Sequence, residues 1–392
     1  MLNIVFSIFI IWYNTTVDNQ LKNFFSNIKL FQGSSDTDRA LGVDVGTSSI
    51  KVVEIKKRGG KVALETYGSV ALGPYGEKEI GQVTNLSLEK TIEALNEVLK
   101  QSGATTRSSA ISIPIQSSLV FTLDLPPQIS TNEIPNVIPI EARKHIPIPI
   151  TEVSLDYFVF PSKEPSFEEA NNPEYDANAP ERKEVLVVAI QNEAVSKYRS
   201  LASGCNLQTG FFELEIFSSI RANFERELSL VLLMDFGASR TKLSLVEFGM
   251  VKAHHTIHRG GADITDSLSK TLSISFTRAE EMKRNFGVLE NPEEKKIPDI
   301  IKTHLDYIFS ETNNVLLRYQ RKYNQTISKV ILTGGGATLK GLKDIAVANF
   351  QAEVEIGKPF SKVSAPAFLD NVLLATGPEF AVATGLALRK LQ

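Results

Sequence analysis

The stretch whose reading decides the fold occurs twice: DVGTSSIK at residues 44–51 and DFGASRTK at residues 235–242. Both spell Asp-x-Gly-x-Ser-x-x-Lys. Each follows a short apolar run (residues 40–43 and 230–234) and precedes another (52–55 and 243–246). Apolar run, small polar turn, apolar run predicts strand, tight turn, strand. Asp, Gly and Ser are ordinary turn residues, so one copy says no more than that. Two copies, each opening its own part of the chain, indicate a duplicated architecture.

Outward from the first copy, residues 39–57 read as a hairpin, Gly59-Gly60 turns it, and 61–72 read as a third strand. Leu88, Ile92, Leu95 and Leu99 form a helical stripe, with Ser87 as N-cap and Gly103 just past its end. Residues 110–115 read as another strand. From residue 230 the order returns: strand, turn, strand, a third strand over 250–259, then helices. A long helix is expected over 297–323, with Ile301, Leu305, Ile308, Thr312, Val315 and Tyr319 on one side. Residues 330–332 read as a buried strand. Gly334, Gly335 and Gly336 turn it into a helix expected to start near Thr338. A last helix over 379–391 carries Ala381, Ala383, Gly385 and Ala387 on its small side.

Residues 116–203 break this rhythm. They read as strand (119–125), helix (133–145, interrupted by Pro135 and Pro139), strand (155–160), exposed loop (162–184), strand (185–190) and helix (193–203). The expected fold class is α/β, with two related lobes and a small α+β subdomain inserted in the first. The expected organisation is a tail (1–38), a first lobe (39–115, completed by 204–228 and 378–392), the insert (116–203) and a second lobe (229–377).

The tail begins with LNIVFSIFIIWY (2–13), almost wholly apolar. A bilayer span needs about 20 such residues, so no direct transmembrane span is expected. No Lys or Arg precedes Lys22, as a secretory leader would require. An amphipathic helix pattern (21–31) and a polar linker (33–38) follow. A loosely docked tail, a stretch upstream of the true start and a weak membrane anchor all stay open.

Of the 392 residues, 42% are hydrophobic and 22% charged, an ordinary globular balance. A net charge of -3 gives no global basic field, so no nucleic-acid partner is expected. The lone Cys205 cannot build a disulfide framework and is expected to be inert; His254, His255 and His258 read as ordinary strand residues.

Chemically, the repeated phrase suits phosphate. Backbone N–H groups of a tight turn bind anions, and Gly46 and Gly237 let the main chain approach without a Cβ in the way. Thr47, Ser48, Ser49, Ser239 and Thr241 add hydroxyls; a hydrogen bond to a charged acceptor contributes about 1.5–3 kcal/mol. Asp44 and Asp235 would repel phosphate, so their expected role is Mg²⁺, held through water. Lys51 can neutralise a phosphate oxygen. TGGGATLKG (333–341) adds a strand feeding a glycine turn, a further anion or nucleotide cradle.

This combination resembles the actin-like ATPase superfamily over residues 39–390. GVDVGTSSIKVVEI (42–55), EARKHIPIPITEVSLDY (141–157) and EFAVATGLALR (379–389) are similar to the PilM family of type IV pilus assembly. The resemblance implies a two-lobed actin-like ATPase fold with ATP and Mg²⁺ between the lobes. It implies nucleotide contacts at Gly46, Thr47, Ser48, Ser49, Lys51, Gly237, Ala238, Ser239, Gly261, Gly334, Gly335 and Gly336. AEEMKR (279–284) implies Glu280 and Lys283 at the ribose, although Thr277 and Glu280 also fit a capping box. FELEIFSSIRA (212–222) implies a connecting helix on which Glu215 faces Mg²⁺ or a water, the one catalytic candidate in a slow ATPase at most. Glu213 stands where the family more often has Asp. The implied partner is the N-terminal cytoplasmic peptide of the inner-membrane protein PilN and, through it, the inner-membrane pilus assembly complex. The implied location is cytoplasmic, peripheral to the inner membrane. The alternative is an FtsA-like filament-forming cell-division protein; a sugar kinase would need a sugar-site signature, which is not seen.

Overall fold

A computed structural model describes residues 38–130, 132–160, 183–225, 229–289 and 296–391. The expected tail helix and most of the expected 162–184 loop lie outside the described residues.

The first phrase folds as expected. β1 (Arg39–Val45), β2 (Ser49–Arg58) and β3 (Lys61–Ala71) form an antiparallel meander. β4 (Ser108–Ile113) then joins β1 in parallel, and β8 (Gln208–Leu214) joins β4 in parallel. The sheet order is β3-β2-β1-β4-β8. The second phrase repeats it: β9 (Val231–Phe236), β10 (Thr241–Glu247) and β11 (Met250–Ile257) form the meander. β12 (Lys329–Thr333) joins β9 and β13 (Glu353–Ile356) joins β12, both in parallel. The order β11-β10-β9-β12-β13 mirrors the first sheet strand for strand. β13 has no counterpart in the expectations: four residues are too short to show a period.

Helix α1 (Leu88–Gln101) starts at Ser87, whose Oγ accepts the Lys90 N–H, and it buries Leu95, Val98 and Leu99 in the first core. In the insert, β5 (Ser118–Leu125), β7 (Lys183–Gln191) and β6 (Val153–Val159) form an antiparallel sheet with β7 in the middle. α2 (Ile134–Ala142) covers one face with Ile134, Ile138 and Ala142. Pro135 sits in its first turn, where its missing N–H costs nothing, and Pro139 lies inside. The helix ends short of the expected His145. Ile146 is buried in this subdomain's core and Ile148 and Ile150 pack against it. The next helix, α3 (Asn192–Gly204), sends Val195, Tyr198, Leu201 and Ala202 into a core shared by the first-lobe sheet and β7 of the insert, and packs on α1.

The insert also touches the far lobe. β5 lies beside β11. Lys252 on β11 pairs with Glu184 at 3.0 Å and sits 3.7 Å over the Phe160 ring.

Between β8 and β9, α4 (Glu215–Asn223) is the connecting helix. The second lobe is covered by α5 (Gly261–Leu272), α6 (Phe276–Phe286), α7 (Lys296–Tyr323) and α8 (Leu342–Phe350). On α7, Ile301, Leu305, Ile308, Thr312 and Tyr319 are buried, the stripe expected. The glycine turn runs into one 3-10 turn (Gly335–Thr338) and α8 begins only at Leu342, later than expected. α9 (Asp370–Thr376) precedes the last helix, α10 (Ala381–Leu391), which packs against α4, β1 and β2. Its small side has a strict reason: a Cβ on Gly385 would collide with the Ser218 carbonyl. Among the described residues one stretch, Ala367–Leu391, is long and apolar enough to cross a membrane, but 67% of its apolar window is buried as core.

Candidate functional site: a cleft between two hairpins

The two hairpin turns face each other across a cleft of about 400 Å³. Its lining includes Asp44, Gly46, Thr47, Ser48, Ser49 and Lys51 from one lobe, and Asp235, Gly237, Ala238, Ser239, Gly261, Glu280, Lys283, Gly334, Gly335 and Gly336 from the other. Glu215 lies on its floor. These residues expected at the site from sequence therefore reach one cavity; Thr241 does not, being buried with its hydroxyl donating to the Arg259 carbonyl.

The turns are built alike. Gly46 N–H donates to the Ser49 carbonyl and Gly237 N–H to the Arg240 carbonyl, each at 3.0 Å. Each turn is tied down by a following segment: Leu72 and Thr84 N–H groups hold Ser48 and Thr47, while Gly261 and Ala262 N–H groups hold Gly237 and Ala238. Thr47 Oγ1 donates to Ser239 Oγ across the cleft at 3.2 Å. Gly334 crosses over Asp235 at φ 82°, where a Cβ would strike the Asp235 carboxylate. Gly335 faces open cleft, its nearest neighbour for a Cβ being Glu379 at 4.0 Å.

The charges are arranged less symmetrically. Lys51 Nζ donates to Ser49 Oγ at 2.8 Å, and Asp44 accepts from Ser112 Oγ at 2.9 Å. Lys242 Nζ lies 2.8 Å from Asp235 and 2.6 Å from Glu215. Burial opposes the Lys242 charge, but Asp235 and Glu215 outweigh it and raise its pKa. Burial raises the Glu215 pKa, with Lys242 working against it and Asp235 and Asp44 adding to the rise. Glu215 Oε1 also accepts the Ile115 N–H at 3.0 Å. Asp235 thus carries an ammonium here, whereas Asp44 holds a hydroxyl. Among the described residues no group of three or more His, Cys, Asp or Glu could hold a metal ion.

At the rim, Glu280 accepts from Thr265 Oγ1 at 2.6 Å and pairs with Lys283 at 2.6 Å and Arg284 at 2.8 Å. Burial would raise its pKa; Lys283 overrides that and holds it low. Glu280 is no capping-box partner: Ser275 is the N-cap of α6, accepting the Arg278 N–H. The first-lobe Glu79 accepts the Phe276 and Thr277 N–H groups at 3.2 and 2.8 Å, so a carboxylate from one lobe satisfies the helix start of the other. Ser219 Oγ is buried on the cleft wall with no partner among the described residues. Glu79, Ser112 and Ser219 gave no sequence signal; Lys242 did, lying opposite Asp235 in the quoted repeat.

Away from the cleft, Glu213 pairs with Arg221 and Arg389, which overcome burial and hold its carboxyl at about 2. It is a structural tie between α4 and α10. Burial pushes the Cys205 thiol up to about 11. His254 lies between Ser244 Oγ and Thr256 Oγ1, and burial lowers it to about 4.

Two duplicated five-stranded sheets with paired phosphate-type hairpins at one cleft define the actin-like ATPase fold. A solved structure of EutJ, an ethanolamine utilization protein of Carboxydothermus hydrogenoformans, shares that fold at TM-score 0.50 and 16% identity, over 89% of each chain. The model of the family described as type IV pilus assembly protein PilM matches residues 42–391, and the chain belongs to that family. A solved PilM–PilN type IV pilus biogenesis complex matches at TM-score 0.74 and 25% identity, over 90% of this chain and 98% of that one. Curated relatives are cell division proteins FtsA. That of Enterococcus hirae is 20% identical over 82% of this chain and 79% of its own length. That of Enterococcus faecalis is 26% identical over 37% of each, so the alignment spans little more than a third of that relative.

Proposed function

We propose that the chain is an ATP-binding adaptor of type IV pilus assembly that docks the N-terminal cytoplasmic peptide of PilN, and so sits at the cytoplasmic face of the inner membrane. The observation that carries the nucleotide part is the convergence of both glycine hairpins and Gly334–Gly336 on one cleft. In this reading the turn N–H groups at Gly46–Ser49 and Gly237–Ser239 hold the phosphates. Lys51 adds charge, Gly334–Gly336 leave room for the nucleoside, and Gly261, Glu280 and Lys283 border the ribose. Glu215 is the group that would orient an attacking water, but Ile115 and Lys242 hold both its oxygens, so turnover is slow. The likeness to the PilM–PilN complex over nearly its whole length supports the peptide part. The insert supplies a surface for it: β5 and β6 are sheet edges, an extended peptide can pair with such an edge, and Leu119 on β5 and Ile140 on α2 are exposed.

A fluorescent PilN N-terminal peptide, titrated against the full chain, tests the proposal. Saturable binding is expected. Ile140→Asp and Leu119→Asp, exposed positions of the insert, should weaken it without loss of melting temperature. Absence of binding by wild type would remove the pilus-adaptor reading, and ATP-dependent sedimentation would then favour an FtsA-like filament.

A further inference from the structure

Among the carboxylates lining the cleft are Asp44, Asp235 and Glu215. A polyphosphate entering there needs positive charge between itself and these groups, since like charges repel strongly in a partly buried site. A hydrated Mg²⁺ between the two hairpin aspartates is the expected source. The structure places an ammonium beside the second of them, shared with Glu215. Lys242 Nζ lies 2.8 Å from Asp235 and 2.6 Å from Glu215.

That placement is not a loose surface contact. Lys242 stands directly opposite Asp235 in the β9–β10 pair, so the backbone register delivers one to the other. Glu215 is fixed from behind by the Ile115 N–H. The Lys242 side chain is 11% exposed, and both carboxylates are nearly as enclosed. A divalent ion drawn to Asp235 and Glu215 would have to displace a cation that repels it. An ammonium has three N–H donors, and two carboxylates occupy two of them, which leaves one for an anionic oxygen. Lys51 lines the same cavity from the opposite hairpin.

We infer that Lys242 supplies, at the second hairpin, the positive charge a divalent cation would otherwise bring, so that nucleotide binds this cleft with little dependence on Mg²⁺. The inference rests on the nucleotide reading above. Lys242 is a positioning and binding residue, acting through neutralisation of Asp235 and Glu215 and through its remaining proton.

The test is equilibrium binding of mant-ATP, followed by fluorescence and checked by displacement with ATP, in excess Mg²⁺ and in excess EDTA. Wild type should show dissociation constants within about threefold of each other in the two conditions. Lys242→Met should bind at least about tenfold more weakly in EDTA than in Mg²⁺, because two bare carboxylates then call for the metal. Asp235→Asn should shift both conditions by the same factor, since the ammonium keeps its Glu215 partner. If wild type binds only with Mg²⁺, or if Asp235→Asn weakens binding in Mg²⁺ alone, Asp235 is a metal-site residue and the inference fails while the nucleotide reading stands. If wild type binds in neither condition, both fail. The wild-type comparison needs no variant, so a poorly folding Lys242→Met leaves the test intact.

Discussion

The two hairpins share a phrase, a strand register and a place in matching sheets, yet they use their lysines differently. In both, the lysine sits opposite the aspartate: Lys51 across from Asp44, Lys242 across from Asp235. Lys51 turns to its own Ser49, and Asp44 takes the Ser112 hydroxyl. Lys242 stays with Asp235 and takes Glu215 as well. The cause lies outside the hairpins. β8 runs into Glu215 at the start of α4, whereas its counterpart β13 runs into Gly357. Ser112 on β4 donates to the first aspartate, whereas Thr333 on β12 donates to the Pro378 carbonyl. Duplicating a backbone does not duplicate its electrostatics, because the third and fourth partners come from segments that differ.

The largest effect should separate the two lysines. Removing one member of a buried ion pair leaves an uncompensated charge and costs about 3–5 kcal/mol, so Lys242→Met should lose about that much in urea denaturation. Lys51→Met should lose no more than about 1 kcal/mol, because its contact is a partly exposed hydroxyl. Equal losses would erase the distinction between the hairpins.

Next come two neighbouring glycines. Gly334→Val places a branched side chain at positive φ and against Asp235, and should destabilise by roughly 1–3 kcal/mol from backbone strain alone. Gly335→Val has room and should keep its melting temperature while weakening nucleotide binding by more than about tenfold. Calorimetric titration of ATP reads the second effect; unchanged affinity would move the nucleotide away from the glycine turn.

Acid should then act on the second lobe through His254. Its folded pKa is about 4 against an ordinary 6.5, because it is buried. Between those values the unfolded chain takes up a proton that the folded chain refuses, so stability falls as pH drops through that window. His254→Gln should flatten this part of the stability profile, and an unchanged slope would show that His254 is not its source.

The smallest expected effect is at Glu79, whose carboxylate is held below its ordinary range by the Thr277 N–H. Glu79→Ala should speed amide hydrogen exchange at Phe276 and Thr277 with little change in global stability. Unaltered exchange there would mean that the two lobes do not meet at this point.

The repeat made much of this legible. The two strand meanders, both turns, the α1 cap and the α7 stripe follow from period and turn chemistry that a sequence displays directly. What stayed hidden were choices among partners. The stripe on α3 is amphipathic whichever sheet it covers, and only tertiary contact shows that it serves both the first-lobe sheet and β7. Ile146 alternates with prolines as an exposed, stiff segment would, yet it is buried in the insert's core. In the cleft, the residue types were readable and the pairing was not. That Asp235 shares its Lys242 ammonium with Glu215, which arrives at the start of α4, no local pattern displays. Glu79 looked like any acidic loop residue until α6 was set against it.

The contact of Glu184 and Phe160 with Lys252 gives the insert a mechanical standing. The insert grows out of the first lobe, and this contact ties it to the second. It is a strut between the lobes, and it completes a triangle whose other sides are the lobes themselves. Any parting of the lobes would have to be absorbed as tilt of the strut or as rupture of its far joint. A load applied to the insert from outside is therefore felt as torque between the lobes, and whatever wedges the lobes apart alters the face the insert presents. By linkage that influence has one magnitude in both directions.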